Sequence, residues 1–316
     1  MGEKIRLGIS ACLLGKNVRF DAGHKLDRFL TDTLGKYVDY VPVCPEVECG
    51  MPVPREPMHL EENPEFPRLV TARTKVDMTR RMAGWAARRV MELGEEELWG
   101  FIFKSDSPSS GMERVKVYNG NKMAHRRGVG IFARAFMRHF PLLPVEEEGR
   151  LHDPRLRENF IERVFTFARW RQVLGRKVSR GSLVEFHMKH RFLILSHSRA
   201  HYRQMGRLVA KAKEIPLKGL FEKYQKLLME SLKLRATPKK NADVLRHMAG
   251  YLKDQISQEE KRELLEIIGR YRKELAPLIV PITLINHYAR KYNQSCLKDQ
   301  WYLNPHPIEL QLRNHA

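Results

Sequence analysis

The chain has 316 residues, 42% of them hydrophobic and 9% aromatic, so it can bury real cores, and wholesale disorder is excluded. That length suggests two domains of ordinary size, and four cysteines are too few for a disulfide scaffold. The +20 net charge is uneven: residues 1–150 carry 24 basic and 21 acidic side chains (+3), and residues 151–316 carry 33 and 16 (+17). A surplus held in one half points to a large anionic partner, usually nucleic acid.

The first half alternates strands and helices. Apolar runs predict strands at Ile5–Ser10, Val38–Val43 and 99–104, ending in loops at Cys12, Cys44 and 105–111. Met78, Met82, Trp85, Ala86, Val90 and Leu93 recur at helical spacing behind an Asp77 N-cap. A further helix is expected over 129–139. This is the pattern of an α/β, Rossmann-like domain with a mostly parallel sheet, whose ligands bind beyond the C-terminal strand ends. Two prolines and the run Glu146-Glu147-Glu148 break the periodicity within 141–150. The expected domains are therefore 1–145 and 146–316.

Helical spacing dominates the second half, which reads as all-α. Phe160, Val164, Phe167 and Ala168 mark one amphipathic stretch. Tyr202, Met205, Leu208, Val209 and Ala212 mark another, and Ser257 with Glu260 forms a capping-box pattern. No run reaches the ~18 apolar residues of a membrane helix, and the N-terminus lacks the apolar region of a signal peptide. A cytoplasmic protein is expected.

Cys12, Cys44 and Cys49 all lie on strand-end loops of the first half. Three thiolates there suit a soft metal centre, an iron–sulfur cluster or zinc; buried inert thiols are the alternative. Cys296 stands alone in the helical half.

Three motifs carry a resemblance. Ser10-Ala11-Cys12-Leu13-Leu14-Gly15 with Val18-Arg19-Phe20-Asp21 is the first. Cys44-Pro45-Glu46-Val47-Glu48-Cys49-Gly50 with Val53-Pro54-Arg55-Glu56 is the second, and Lys104-Ser105-Asp106-Ser107-Pro108-Ser109-Ser110-Gly111 the third. Together they resemble the thiouracil desulfurase family over about residues 4–140. The helical half, through 146–151, 157–161, Phe186-His187, Lys189-His190, 277–283 and Pro305-His306-Pro307, resembles the YbgA-like domain often fused behind it. The resemblance implies a tRNA 4-thiouridine desulfidase; stand-alone members act on free thiouracil.

It also implies a 4Fe-4S cluster held by one cysteine from each motif. Here Ser110 stands at the third-motif position and Cys49 is an added cysteine. Iron–sulfur clusters are held chiefly by thiolates, so a ligand swap is expected, with Cys12, Cys44 and Cys49 as ligands and Ser110 as the rival oxygen donor. Three protein ligands leave one iron open for the substrate sulfur. The resemblance gives Glu46 the role of general acid or base and makes Ser107 the group that orients the pyrimidine or relays a proton. Ser109, Ser110, Arg19, Asp21 and Arg55 are expected to bind the substrate's base or phosphate.

Arg199, Arg203, Arg207 and Lys211 recur every four residues, a basic stripe expected to bind tRNA through its backbone and shape. His187, His190, His197 and His201 suggest zinc as a lesser alternative. The competing functions are a desulfurase of free thiopyrimidines and a non-catalytic RNA-binding protein with a structural metal.

Overall fold

The computed structural model describes residues 4–119, 124–176 and 178–315, in two compact units, Met1–Asp153 and Pro154–Ala316. Among the described residues, the first unit holds two four-stranded sheets. β1 (Ile5–Ser10), β2 (Val38–Val43), β5 (Phe101–Phe103) and β8 (Val145–Glu147) form an all-parallel sheet in the order β2-β1-β5-β8. β3 (Met58–Asn63), β4 (Phe66–Thr71), β6 (Val115–Tyr118) and β7 (Ala124–Gly128) form a mixed sheet in the order β4-β3-β6-β7. α1 (Pro45–Glu48) follows β2; α2 (Thr79–Glu95) and α3 (Ile131–His139) are the longer helices.

The centre of the parallel sheet is buried because β1 and β5 are nearly continuous apolar runs: Leu7, Ile9, Phe101, Ile102 and Phe103 are all fully inaccessible. Phe101 on β5 lies 5.7 Å from Phe132 and 4.7 Å from Phe136 of α3, and Trp85 of α2 lies 5.4 Å from Phe132. Each fully buried aromatic of this kind contributes about 1.5–3 kcal/mol of transfer free energy. Asp77 caps α2 from one residue before the N-cap, its Oδ1 accepting from Thr79 N at 2.8 Å.

The run Glu146-Glu147-Glu148 differs from the expected break between domains. β8 pairs with β5, so a boundary at 145/146 would cut through a strand; the units divide at Asp153/Pro154 instead. All three carboxylates are buried because each has partners: Glu146 accepts from Arg150, Glu147 from the backbone of Met112, and Glu148 from Ser105 N and from Lys104.

The second unit is helical: α4 (Pro154–Leu174), α5 (Arg180–His197), α6 (Arg199–Ala210), α7 (Leu217–Lys233), α8 (Pro238–Gly250), α9 (Gln258–Arg272), α10 (Ile279–Lys291) and α11 (Ser295–Lys298). Trp170 of α4 stacks on Phe221 and Tyr224 of α7 at 5.4 and 5.1 Å, and meets Phe186 of α5 edge-on at 5.1 Å. The capping box expected at Ser257 is present in both directions. Among the described residues, no helix is long and apolar enough to cross a membrane.

Candidate active site

Parallel pairing puts the C-terminal ends of β1, β2 and β5 on one sheet edge, with Ser10 opposite Val43 and Ile9 opposite Ile102. The three loops leaving these strands line a cavity of about 380 Å³. Its wall includes Cys12, Cys44, Glu46, Lys104, Ser107, Ser109 and Ser110, with Arg19 and Phe20 from the first loop. Sheet edges of this kind are where open α/β folds bind ligands.

Each loop is held by specific bonds. Ser10 Oγ accepts from Lys104 N at 2.9 Å, tying the end of β5 to the end of β1. Arg81 donates to the carbonyls of Cys49 and Gly50 at 2.7 Å each, fixing the turn after α1, where Gly50 takes a left-handed φ of 88°. The third loop is clamped from β8 and the residue after it: Glu148 accepts from Ser105 N and Oγ at 2.6 and 2.8 Å, and Glu147 from Met112 N at 2.6 Å. The same loop caps α3, with Phe132 N donating to Ser109 O at 2.9 Å. Gly130 permits that approach, since a Cβ there would stand 2.5 Å from Ser109 O.

Inside the cavity a hydrogen-bonded series runs from Ser107 to Arg55. Ser107 Oγ and Ser109 Oγ are 3.0 Å apart, and Ser109 Oγ donates to Glu46 Oε1 at 2.9 Å. Arg55 donates to the other oxygen, Glu46 Oε2, through Nε at 2.9 Å and through a second nitrogen. Arg55 also donates to Val18 O at 3.0 Å, so it ties the second loop to the first. Arg55 is thus a partner of Glu46 rather than a residue of the cavity wall.

The thiols are free. Burial pushes the Cys12 thiol up to about 11, with Lys104 pulling the other way, and burial likewise raises Cys44 and Cys49. Cys12 and Cys44 are close enough to interact electrostatically. Cys49 also interacts with Cys44, yet its Sγ donates to Glu46 O at 3.3 Å and it does not line the cavity. Ser110 does line it. Asp21 turns away to make a local turn, accepting from Gly23 N at 3.1 Å with Arg19 3.4 Å off.

The donor set suits a thiophilic group. Two free thiols and a serine hydroxyl face one cavity, beside a lysine that favours thiolate, and zinc or an iron–sulfur cluster is the chemistry that takes such ligands.

The third motif contains Lys104 without assigning it a task; the structure puts its side chain on the cavity wall, paired with Glu148. The carboxylates Glu147 and Glu148 stand out in the sequence only as part of a break in periodicity, not as a clamp on the third loop. The available signal is an acidic run that begins within a strand of the parallel sheet, where solvated side chains are unexpected.

In the helical unit, Arg199, Arg203 and Arg207 lie along α6, with Lys211 at its C-cap, and Arg199, Arg203, Arg207 and Lys211 are all exposed. The four histidines considered for zinc do not share a site. His187 Nδ1 meets Tyr224 Oη at 3.1 Å, His190 meets Phe186 O and Arg169, and His201 meets Ser198 Oγ. His197 instead faces Glu162, 3.3 Å from Oε2.

Comparison with known proteins gives two family matches. Residues 7–148 match the model described as 2-thiouracil desulfurase, and residues 191–307 match DUF1722, described as a protein of unknown function. The uncharacterized protein YbgA of Escherichia coli (strain K12) is 27% identical over 161 residues, 51% of this chain and 95% of its own. A solved structure of a [4Fe-4S]-dependent thiouracil desulfidase, TudS, is 30% identical and covers 48% of this chain and 95% of its own, with a TM-score of 0.39.

Proposed function

Because the chain is a 2-thiouracil desulfurase-type, TudS-like domain followed by a YbgA-like domain, we propose that it removes sulfur from thiopyrimidines, and that its substrate is 4-thiouridine in tRNA. The observation that carries this reading is the meeting of two free thiols, the buried Cys12 and the half-buried Cys44, with the Glu46–Ser109–Ser107 series in one cavity. Replacing a thiocarbonyl sulfur by oxygen is a net hydrolysis. Thiocarbonyl and water give carbonyl and hydrogen sulfide, and no external reductant is needed.

A 4Fe-4S cluster would be held by Cys12 and Cys44, and would supply a thiophilic iron to accept the departing sulfur. The third protein ligand is Ser110 or Cys49. The lining of the cavity supports Ser110, although thiolate chemistry favours Cys49. Glu46 takes the proton of the attacking water at Oε1, directly or through Ser109, and returns it to the departing group. Arg55 holds the carboxylate in place while this happens. Ser107 and the backbone of the third loop position the pyrimidine ring. Phe20 and Arg19, at the rim of the first loop, suit a base and its phosphate.

The YbgA-like domain supports an RNA substrate by its charge alone, +17 over 151–316. A base inside folded tRNA must be turned out of its stack to enter the cavity. The test incubates oxygen-free protein, cluster intact, with tRNA containing 4-thiouridine, and measures nucleosides by mass spectrometry. Conversion to uridine with release of sulfide is expected; persistence of thiouridine refutes the reading. The description of the family matched by residues 7–148, 2-thiouracil desulfurase, favours a second reading, free thiouracil as substrate. Under it, kcat/KM for the free base exceeds that for tRNA.

A further inference from the structure

Away from the desulfurase cavity, the helical unit buries a set of charged groups for which neither family match nor the proposed reaction gives a use. Glu158 and Glu162 lie one turn apart on α4. Arg313 donates to Glu158 Oε1 at 2.9 Å and to Glu162 Oε1 at 2.6 Å. That leaves the second oxygen of each carboxylate, and around these stand imidazoles. His315 places Nε2 3.6 Å from Glu158 Oε2. His197, fully inaccessible at 0% exposure, places Nε2 3.3 Å from Glu162 Oε2 without a well-angled hydrogen bond. His306, from the Pro305-His306-Pro307 segment, has its Nε2 shut away from solvent with no hydrogen-bond partner at all.

Donor atoms of Glu158, Glu162 and His306 lie within 4.8 Å of one another. A cavity of about 210 Å³ reaches Glu158, Glu162 and His197 from the surface, so an ion has a way in. A ring nitrogen shut away without a partner, as His306 Nε2 is, is expensive to leave so. A cation shared with carboxylate oxygens of Glu158 and Glu162 satisfies it.

We propose that Glu158, Glu162 and His306 form a binding site for one divalent first-row transition ion, with His197 against Glu162 beside it and zinc as the probe. The donor set of imidazole and carboxylate suits such an ion better than calcium or magnesium, which prefer oxygen alone. Arg313 orients both carboxylates and neutralises one of their two charges, leaving the oxygens it does not use for the metal. The ion links α4 to the C-terminal segment. The site is independent of the desulfurase reaction.

The test uses the full-length chain with Cys12, Cys44, Cys49 and Cys296 changed to serine, so that no thiol can bind the probe. After chelator treatment, zinc is titrated against a competing dye, and cobalt(II) is added separately to read the ligand field by absorption. One zinc per chain is expected, with cobalt bands free of sulfur charge transfer. His306→Gln is expected to weaken zinc at least ~10-fold while far-UV circular dichroism stays unchanged; its Nε2 makes no hydrogen bond to lose. Glu162→Gln should do the same where it folds. The proposal is overturned if the cysteine-free chain takes up no zinc at micromolar concentration, or if His306→Gln binds it as tightly as the parent.

Discussion

Ser109 Oγ donates to Glu46 Oε1 at 2.9 Å, while Arg55 occupies the other oxygen of the same carboxylate. One acid is therefore held from two sides, and only the serine side faces the cavity. If Oε1 is where a proton is taken and given, Glu46→Gln lowers kcat by roughly 10²–10⁴-fold without loss of iron. Ser109→Ala has a smaller effect of the same kind. Rates measured at equal iron content check this; a Glu46→Gln enzyme at full speed removes Glu46 from the chemistry.

The third ligand separates two chemistries. If Ser110 supplies it, Ser110→Ala loses iron, Ser110→Cys keeps it, and Cys49→Ala is indifferent. The reverse pattern establishes Cys49. Iron content with visible absorption, recorded on oxygen-free protein, reads the outcome.

Burial raises the Cys12 thiol to about 11, so in cluster-free protein it stays protonated at neutral pH. Binding a metal must displace that proton, and assembly should therefore strengthen as pH rises toward the thiol's value. Alkylation at pH 8, mapped by mass spectrometry, is expected to mark the exposed Cys296 first and Cys12 last. Lys104→Met removes a nearby positive charge and slows Cys12 further.

Glu148 and Lys104 form a largely buried ion pair that also holds Ser105. Removing one partner leaves an uncompensated charge, so Glu148→Ala should cost on the order of 3 kcal/mol. Because the clamp shapes the third loop, the same variant should lose iron before it unfolds. Denaturant titration followed in parallel by absorption and circular dichroism checks the order of loss.

His187 is held neutral: burial pushes its imidazole down to about 4, with Arg191 adding to the effect. A base whose folded value is depressed contributes stability that is complete above its unfolded value near 6.5. That stability is lost as pH falls from about 6.5 toward 4, by on the order of 3 kcal/mol. Tm measured across this window should fall for the wild type, and fall less for His187→Gln.

Parts of this fold are plain in the sequence and parts are not, for physical reasons. β1 and β5 are apolar runs because both faces are covered, and the edge strand β2 keeps enough apolar residues to stand out with them. The mixed sheet is invisible to such a reading: Met58–Asn63 and Ala124–Gly128 are mostly polar strands with one or both faces in water. β8 and the residue after it read as a linker because Glu147 and Glu148 are buried by partners that are distant in sequence, Met112 for the first, Lys104 and Ser105 for the second. Cys12, Cys44, Glu46, Ser107, Ser109 and Ser110 stand out in the sequence and all line one cavity, since motifs at parallel strand ends converge whatever lies between them. Arg55 is expected from its motif to meet substrate, but spacing does not reveal that Glu46 claims it.

For the basic helix, changing Arg199, Arg203, Arg207 and Lys211 together to Gln should weaken tRNA binding and reduce the salt slope by about 3 units. These side chains are exposed, so folding should be untouched. Fluorescence titrations at several salt concentrations decide it; an unchanged slope moves the RNA surface elsewhere on the protein.

Iron and acid-labile sulfide, assayed per chain on oxygen-free protein, bear most closely on the site as a whole. About four of each are expected in the wild type, and neither in Cys12→Ala or Cys44→Ala. A full complement surviving the loss of both thiols would contradict the cavity as the seat of the cluster.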